Sequence, residues 1–300
     1  MILALLLAAV SACPHHHSGD LVVATPEDIP ACLETVDGHL IVGTDHAELH
    51  FPHLTDVTGR VGLTLSRSGR ARFPRLERVH GGLEAELHGH AELDLPRLEQ
   101  VGGPIGLDFD PETGGAGLAG IHRHTAGLWI FGGGDLTGLL PRLTEVSGTV
   151  FVQPTGPVRG VLPGIRRVGG HLVISNASHL PVEGLAELER VDGGLYLFGG
   201  REIALPRLKV VGEALAVRDT QLRSLAAVGG EGSAVGALLL SDNPDLATWP
   251  SHLEVAPNRI RVDGSPSLRG TGRTQKARTR KETAKRRSSA SSPEATGSMR

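Results

Sequence analysis

The sequence predicts an all-β chain wound as a parallel β-solenoid of about eleven coils, each ~22 residues long. Three observations lead there. One phrase recurs along the chain: an apolar residue, Pro, any residue, Leu, two residues, Val, then Gly. Each copy is followed by a short segment whose apolar residues stand two apart, the period of a strand with one buried face. The 300 residues include 41 Gly but only 6 Phe, 2 Trp and 1 Tyr, with 39% hydrophobic overall. That balance favours many similar aliphatic turns over one core locked by aromatics, and it excludes collagen, a coiled coil and a multi-span membrane protein.

The N-terminal segment differs from the rest. Residues 1–12, MILALLLAAVSA, are an apolar run too short for a stable transmembrane anchor, and they end in small residues before Cys13, the pattern of a signal peptide. Val10, Ser11, Ala12 and Cys13 resemble the lipobox of bacterial lipoproteins. That resemblance implies a lipid on the Cys13 thiol, Cys13 as the first mature residue, and a place in the cell envelope, at the outer membrane or cell surface. The sequence departs from the lipobox in having Val at the third position before Cys and no Lys or Arg before the apolar run. The alternative is ordinary signal cleavage, a secreted chain, and Cys13 paired with Cys32 in an oxidising compartment. Residues 13–20 read as a polar tether. Its triplet His15, His16, His17 lacks the fixed further ligands that a metal site needs, and no metal or other cofactor is expected.

The solenoid is assigned to residues 21–268. The phrase stands at 51–59, 73–82, 95–103, 140–148, 162–170, 185–194 and 205–212. Its Val anchors are Val36, Val57, Val79, Val101, Val146, Val168, Val191, Val211 and Val228, separated by 21, 22, 22, 45, 22, 23, 20 and 17 residues. The interval of 45 hides one copy, with Leu118, Ile121 and Leu128 in the apolar slots and His124 in place of Val. A last copy uses Val255 and the segment Ile260 to Val262. The Pro and the Gly residues mark corners, Gly being suited to positive φ at sharp turns. A single coil buries about five aliphatic side chains at ~1.5–3 kcal/mol each, whereas ordering its backbone costs on the order of 1–2 kcal/mol per residue. A lone coil therefore cannot fold, and stacking is obligatory. The segment 20–36 and the polar C-terminal run are the expected caps.

The phrase Leu-Pro-x-Leu-x-x-Val-x-Gly-x-Leu-x-Ile, followed by Asn176 and Leu180 or by Asp242, Asn243, Pro244, Asp245 and Leu246, resembles the receptor L-domain type of leucine-rich repeat. The resemblance covers residues ~29–262 and rests on repetition rather than on any single copy. It implies a right-handed solenoid that binds extracellular ligands without catalysis. The Cys-rich modules of the growth-factor receptors are missing from this chain, so signalling does not follow.

With Leu83, Ala85, Leu87, Ile105, Leu107, Phe109, Leu172, Ile174, Leu195 and Leu197 inward, the residues between them point out. The outward positions then include Trp129, Phe131, Phe151, Tyr196 and Phe198, five of the nine rings in the chain. Trp129, Phe151, Val173 and Tyr196 fall in one column. These five aromatics are the candidate ligand-binding residues, since exposed rings stack on sugar faces and on partner side chains. Glu84, Glu86, Asp108 and Asp110 make an acidic row, read as a solvated face. His88 with His90, and His122 with His124, have the spacing of a strand-borne metal pair, but their offset of 34 residues prevents a shared site. No catalytic residues are assigned: Asp108 and Asp110 are the only candidate acid/base pair, and no nucleophile, phosphate loop or zinc signature accompanies them.

Residues 269–300 hold ten Lys or Arg against two Glu, so a body of net charge −11 carries a tail of +8. The composition is that of a disordered segment. Such a tail contacts anionic polymers through non-specific electrostatics, and with no interleaved aromatic it offers no platform for sequence-specific nucleic-acid binding. The expected function is that of a non-enzymatic cell-surface protein presenting one side of a solenoid to a protein or glycan ligand. A polysaccharide-cleaving β-helix and a passive spacer are the alternatives.

Overall fold

The computed structural model describes residues 14–110, 112–113, 115–136, 138–179, 185–201, 203–248 and 250–266. The apolar run 1–12 expected to be a signal peptide, Cys13 and the basic tail 269–300 lie outside the described residues. The chain is a parallel β-solenoid. Its main face is a sheet of twelve parallel strands, from Leu21–Val23 through Leu83–Leu87, Leu128–Asp135 and Leu195–Phe198 to Ile260–Asp263. Consecutive strands of this sheet begin 19 to 23 residues apart, one strand per coil. A second face consists of short strands around the Val slot, such as Arg78–Val79, in sheets of five and seven strands. A third face is formed in the early coils by the four strands Glu48–His50, Arg70–Arg72, Glu92–Asp94 and Gly115–Gly117.

The two-residue period sets what is inside. In-register pairing puts Leu40, Val61, Leu83, Ile105, Leu128, Val150, Leu172, Leu195, Leu215 and Leu238 in one ladder. All of these are buried, as are Val42, Leu63, Ala85, Leu107, Ile130, Val152, Ile174, Leu197, Val217 and Leu240 in the parallel ladder two residues on. The corner residues form further ladders: Leu54, Leu76, Leu98, Ile121, Leu143, Ile165, Leu188 and Leu208 are each at most 1% exposed. Phe51 and Phe73 stack between adjacent coils, with ring centroids 4.5 Å apart. Among the described residues no buried side-chain nitrogen or oxygen lacks a hydrogen-bond partner. Asn243 accepts from the Thr220 N–H and hydroxyl through Oδ1 and donates to the Val217 carbonyl.

Glycine at the corners serves closeness rather than turn geometry. Gly81 and Gly193 have negative φ, yet a Cβ on Gly81 would lie 2.6 Å from the Gly59 carbonyl oxygen, and one on Gly193 would lie 2.7 Å from that of Gly170. Each coil rests its glycine on the backbone of the coil before it, which corrects the expectation of positive φ at these corners.

Two sequence assignments also change. The Val ladder continues from Val211 to Val235, not to Val228; Val228 bridges Leu205 at the preceding corner. Part of the expected tether belongs to the fold: His16–Ser18 pairs with Thr35–Asp37 as the first strand of the short-strand face, and the histidine rings bond along it, His15 to Glu34 and His16 to Thr35. The disguised copy is present as expected, with His124 opposite Val146.

The corner contacts predict a contrast between two glycines. Gly81→Ala should lower stability by about 1–3 kcal/mol, because its methyl overpacks against backbone that cannot rotate away. Gly62→Ala, with open space around its Cβ position, should change it little. Urea denaturation of the two variants beside the parent chain measures both.

Candidate functional site

The outward columns of the twelve-stranded sheet fall where the sequence put them. Trp129 pairs with Phe151, Phe151 with Val173, and Val173 with Tyr196. Phe131 stands beside Gln153, and Phe198 beside Arg218. Trp129 is 36% exposed, while Phe131, Phe151, Tyr196 and Phe198 are half-buried. The rings support one another: Phe131 and Phe151 are 5.6 Å apart at a 46° tilt, and His171 meets Tyr196 edge-on at 5.7 Å.

Two glycines explain how the larger rings lie. A Cβ on Gly127 would sit 3.0 Å from the Trp129 ring, and one on Gly194 would sit 2.5 Å from that of Tyr196. Each ring is folded back over the bare backbone two residues before it. One side of the ring is packed on the sheet, and the face is a broad apolar surface held in place from beneath. The column from Trp129 to Tyr196 spans three coil steps, about 14 Å at the ~4.8 Å spacing of paired strands.

The acidic residues behave differently from one another. Asp108 follows Glu86 in the exposed column next to Phe131. Asp110, just past the strand Ile105–Phe109, accepts from the Gly89 N–H and lies 3.4 Å from His88. Glu84 pairs loosely with Arg60 at 3.7 Å. The histidine pairs are split in the same way. His88 and His90 follow the end of the strand Leu83–Leu87, and His90 contacts the Glu112 carbonyl. His122 is exposed while His124 is buried. Among the described residues, no group of three or more His, Cys, Asp or Glu is arranged to hold a metal.

A further feature lies on the short-strand face. Its five-stranded sheet ends at Gln100–Val101, and its seven-stranded sheet begins one coil later at Arg123–His124. The ladder is broken between them. Elsewhere the Gly102 N–H donates to the Val79 carbonyl at 2.9 Å and the Ser147 N–H to the His124 carbonyl at 2.8 Å; among the described residues Thr125 makes no such bond to Val101. The sequence contains the cause. From Val36 to Val235 every coil has Gly in at least one of the two positions after the Val slot, except the coil with Thr125 and Ala126. Two side chains cannot approach the lower coil as closely as Gly can, and the backbone stands off. A cleft of about 640 Å³ opens there, lined by Arg78, His80, Glu99, Gln100, Gly102, His122, Arg123 and Thr125 among others. The repeat alignment held this signal, but sequence reading fixed on His124 and missed it.

His124 is 2% exposed, and its Nε2 contacts the Gly127 carbonyl. Burial holds its pKa below the ordinary 6.5, against the opposing effect of that hydrogen bond. The folded state thus favours neutral imidazole. This contribution to stability is fully present above the unfolded-state pKa and is lost as pH falls from there through the folded value. Thermal melts across pH 5 to 8 should show the midpoint declining below about 6.5, with His124→Val, the residue of the other coils, removing part of that decline. An unchanged profile in the variant would contradict the assignment.

The chain matches no protein-family model, no curated protein and no solved structure.

Proposed function

We propose that this chain is a non-catalytic binding protein that presents the outward face of its twelve-stranded sheet to a glycan or protein ligand. The observation that carries this reading is the set Trp129, Phe131, Phe151, Tyr196 and Phe198, which gathers five of the nine aromatics of the chain on one side of neighbouring coils. Rings held from beneath by Gly127 and Gly194 lose little freedom on binding, which limits the entropic cost of the contact. A glycan suits the surface better than a protein hot spot does. The rings line neither the cleft beside Thr125 nor the one between Arg201 and Asp245, and pyranose faces stack on such rings, whereas protein hot spots favour anchors in well-packed pockets.

The coarse solenoid leaves room for a closer kinship. The repeat phrase favours a receptor L-domain-like member of the leucine-rich repeats, whose ectodomains bind ligands, and the ligand-binding reading is in keeping with it. The alternative of a polysaccharide-cleaving enzyme is weakened by Asp110, whose carboxylate is engaged by His88 and the Gly89 N–H. For the N-terminus, the lipobox-like run favours a surface lipoprotein anchored through Cys13. The secreted alternative pairs Cys13 with Cys32 instead, and a thioether lipid and a disulfide at Cys13 exclude one another. The intact mass of the mature chain from its native host decides between them: an added diacylglyceryl group means an anchored protein, and a gain of two hydrogens on reduction means a disulfide-bonded secreted one.

Retention of the purified chain on a panel of neutral and acidic polysaccharides tests the binding face. Trp129→Ala and Tyr196→Ala should each weaken retention by roughly tenfold, about 1.4 kcal/mol, and Asp108→Asn should leave it intact. Polysaccharide cleavage that Asp108→Asn abolishes would replace binding with catalysis, and retention indifferent to both aromatic variants would leave a passive spacer.

A further inference from the structure

The broken ladder exposes two complementary lips of backbone. On the lower coil the Glu99 and Val101 carbonyls lose the donors that their counterparts keep: Glu77 O accepts from Gln100 N–H and Val79 O from Gly102 N–H one step earlier. On the upper coil the Arg123 and Thr125 N–H groups lose their acceptors. A polar backbone group left without a partner costs about 1–3 kcal/mol when water is kept away, so these lips are poised to take a ligand that both donates and accepts.

The side chains narrow the class. Arg78 and His80 are both engaged by Asp56, at 2.7 Å and 3.2 Å. Arg123 is the available cation: its nearest carboxylate, Glu145, is 3.7 Å away, and its side chain is 78% exposed. Gly102, next to Val101 on the lower coil, lines the cleft without a side chain. A bare anion would meet the guanidinium and the two N–H groups but would oppose the two carbonyls. A neutral polyol would serve the carbonyls and leave the guanidinium unused.

We propose that this cleft is a binding site for a small hydroxy acid of the sugar-acid type, its carboxylate held by the Arg123 side chain and the Arg123 and Thr125 N–H groups, and its hydroxyls donating to the Glu99 and Val101 carbonyls. The site stands on the short-strand face and does not depend on the aromatic face. Its existence follows from the Thr125–Ala126 pair, which keeps the two coils apart.

Calorimetric titration of the full chain with D-glucuronate, acetate and D-glucose tests the assignment. Glucuronate should bind at least roughly tenfold tighter than either of the others. Arg123→Gln should reduce that affinity by a similar factor while leaving the melting midpoint unchanged, since an exposed, loose ion pair contributes little to stability. Ala126→Gly, which lets the coils close, should also reduce it and should raise the melting midpoint. Absence of glucuronate binding, equal binding of glucuronate and acetate, or glucuronate affinity untouched by both variants would each overturn the proposal.

Discussion

The contact between the backbones of successive coils governs this molecule. Parallel strands hydrogen-bond only at ~4.8 Å, and a coil of about 22 residues can hold that spacing around its whole circuit only if its corners approach as closely as its strands. Glycine makes the approach possible: at Gly81 and Gly193 a methyl would collide with the carbonyl of the previous coil. Once the coils are seated, Leu and Val ladders run the length of the rod and are buried almost completely. No coil buries these side chains by itself, so folding and stacking are one process.

The same constraint shapes the surfaces. A register fixed by stacking turns each outward position into a column, and residues far apart in sequence become neighbours one coil apart. Trp129, Phe151 and Tyr196 share a face for this reason, as do the alternating charges of Arg123, Glu145 and Arg167 on the short-strand face. Where the glycine rule lapses, at Thr125 and Ala126, the ladder opens into a polar cleft. Both candidate sites are therefore properties of the stacking: one is built on its regularity, the other on its single interruption among the described residues between Val36 and Val235.

Much of this was legible in the sequence because the period of the strand and the period of the coil are both written in aliphatic residues. Leu83, Ala85 and Leu87 announce their inward face, and the spacing of the Val anchors fixes which outward residues align. The reading failed where a second residue type could fill the slot. Val228 stands before a Gly pair as the true anchors do, yet only Val235 leaves 24 residues for a complete coil after Val211. The segment from His16 to Ser18 is polar and looks like a linker, but an end strand needs bonds on one side only and packs little, so apolar residues are not required of it. The corner glycines were visible while their role was not, because a steric approach between coils leaves no mark within a single copy. Only the comparison of all copies isolates Thr125 and Ala126.

Removal of one complete coil tests the stacking most directly. Residues 83–104 form one 22-residue circuit, and their deletion joins Gly82 to Ile105, which occupies the same ladder as Leu83. The shortened chain should retain its β-type circular dichroism and unfold in a cooperative urea transition, with a slope reduced in proportion to the lost surface. An unfolded or non-cooperative product, beside a parent chain that unfolds cooperatively, would contradict an architecture of interchangeable coils with a shared interior.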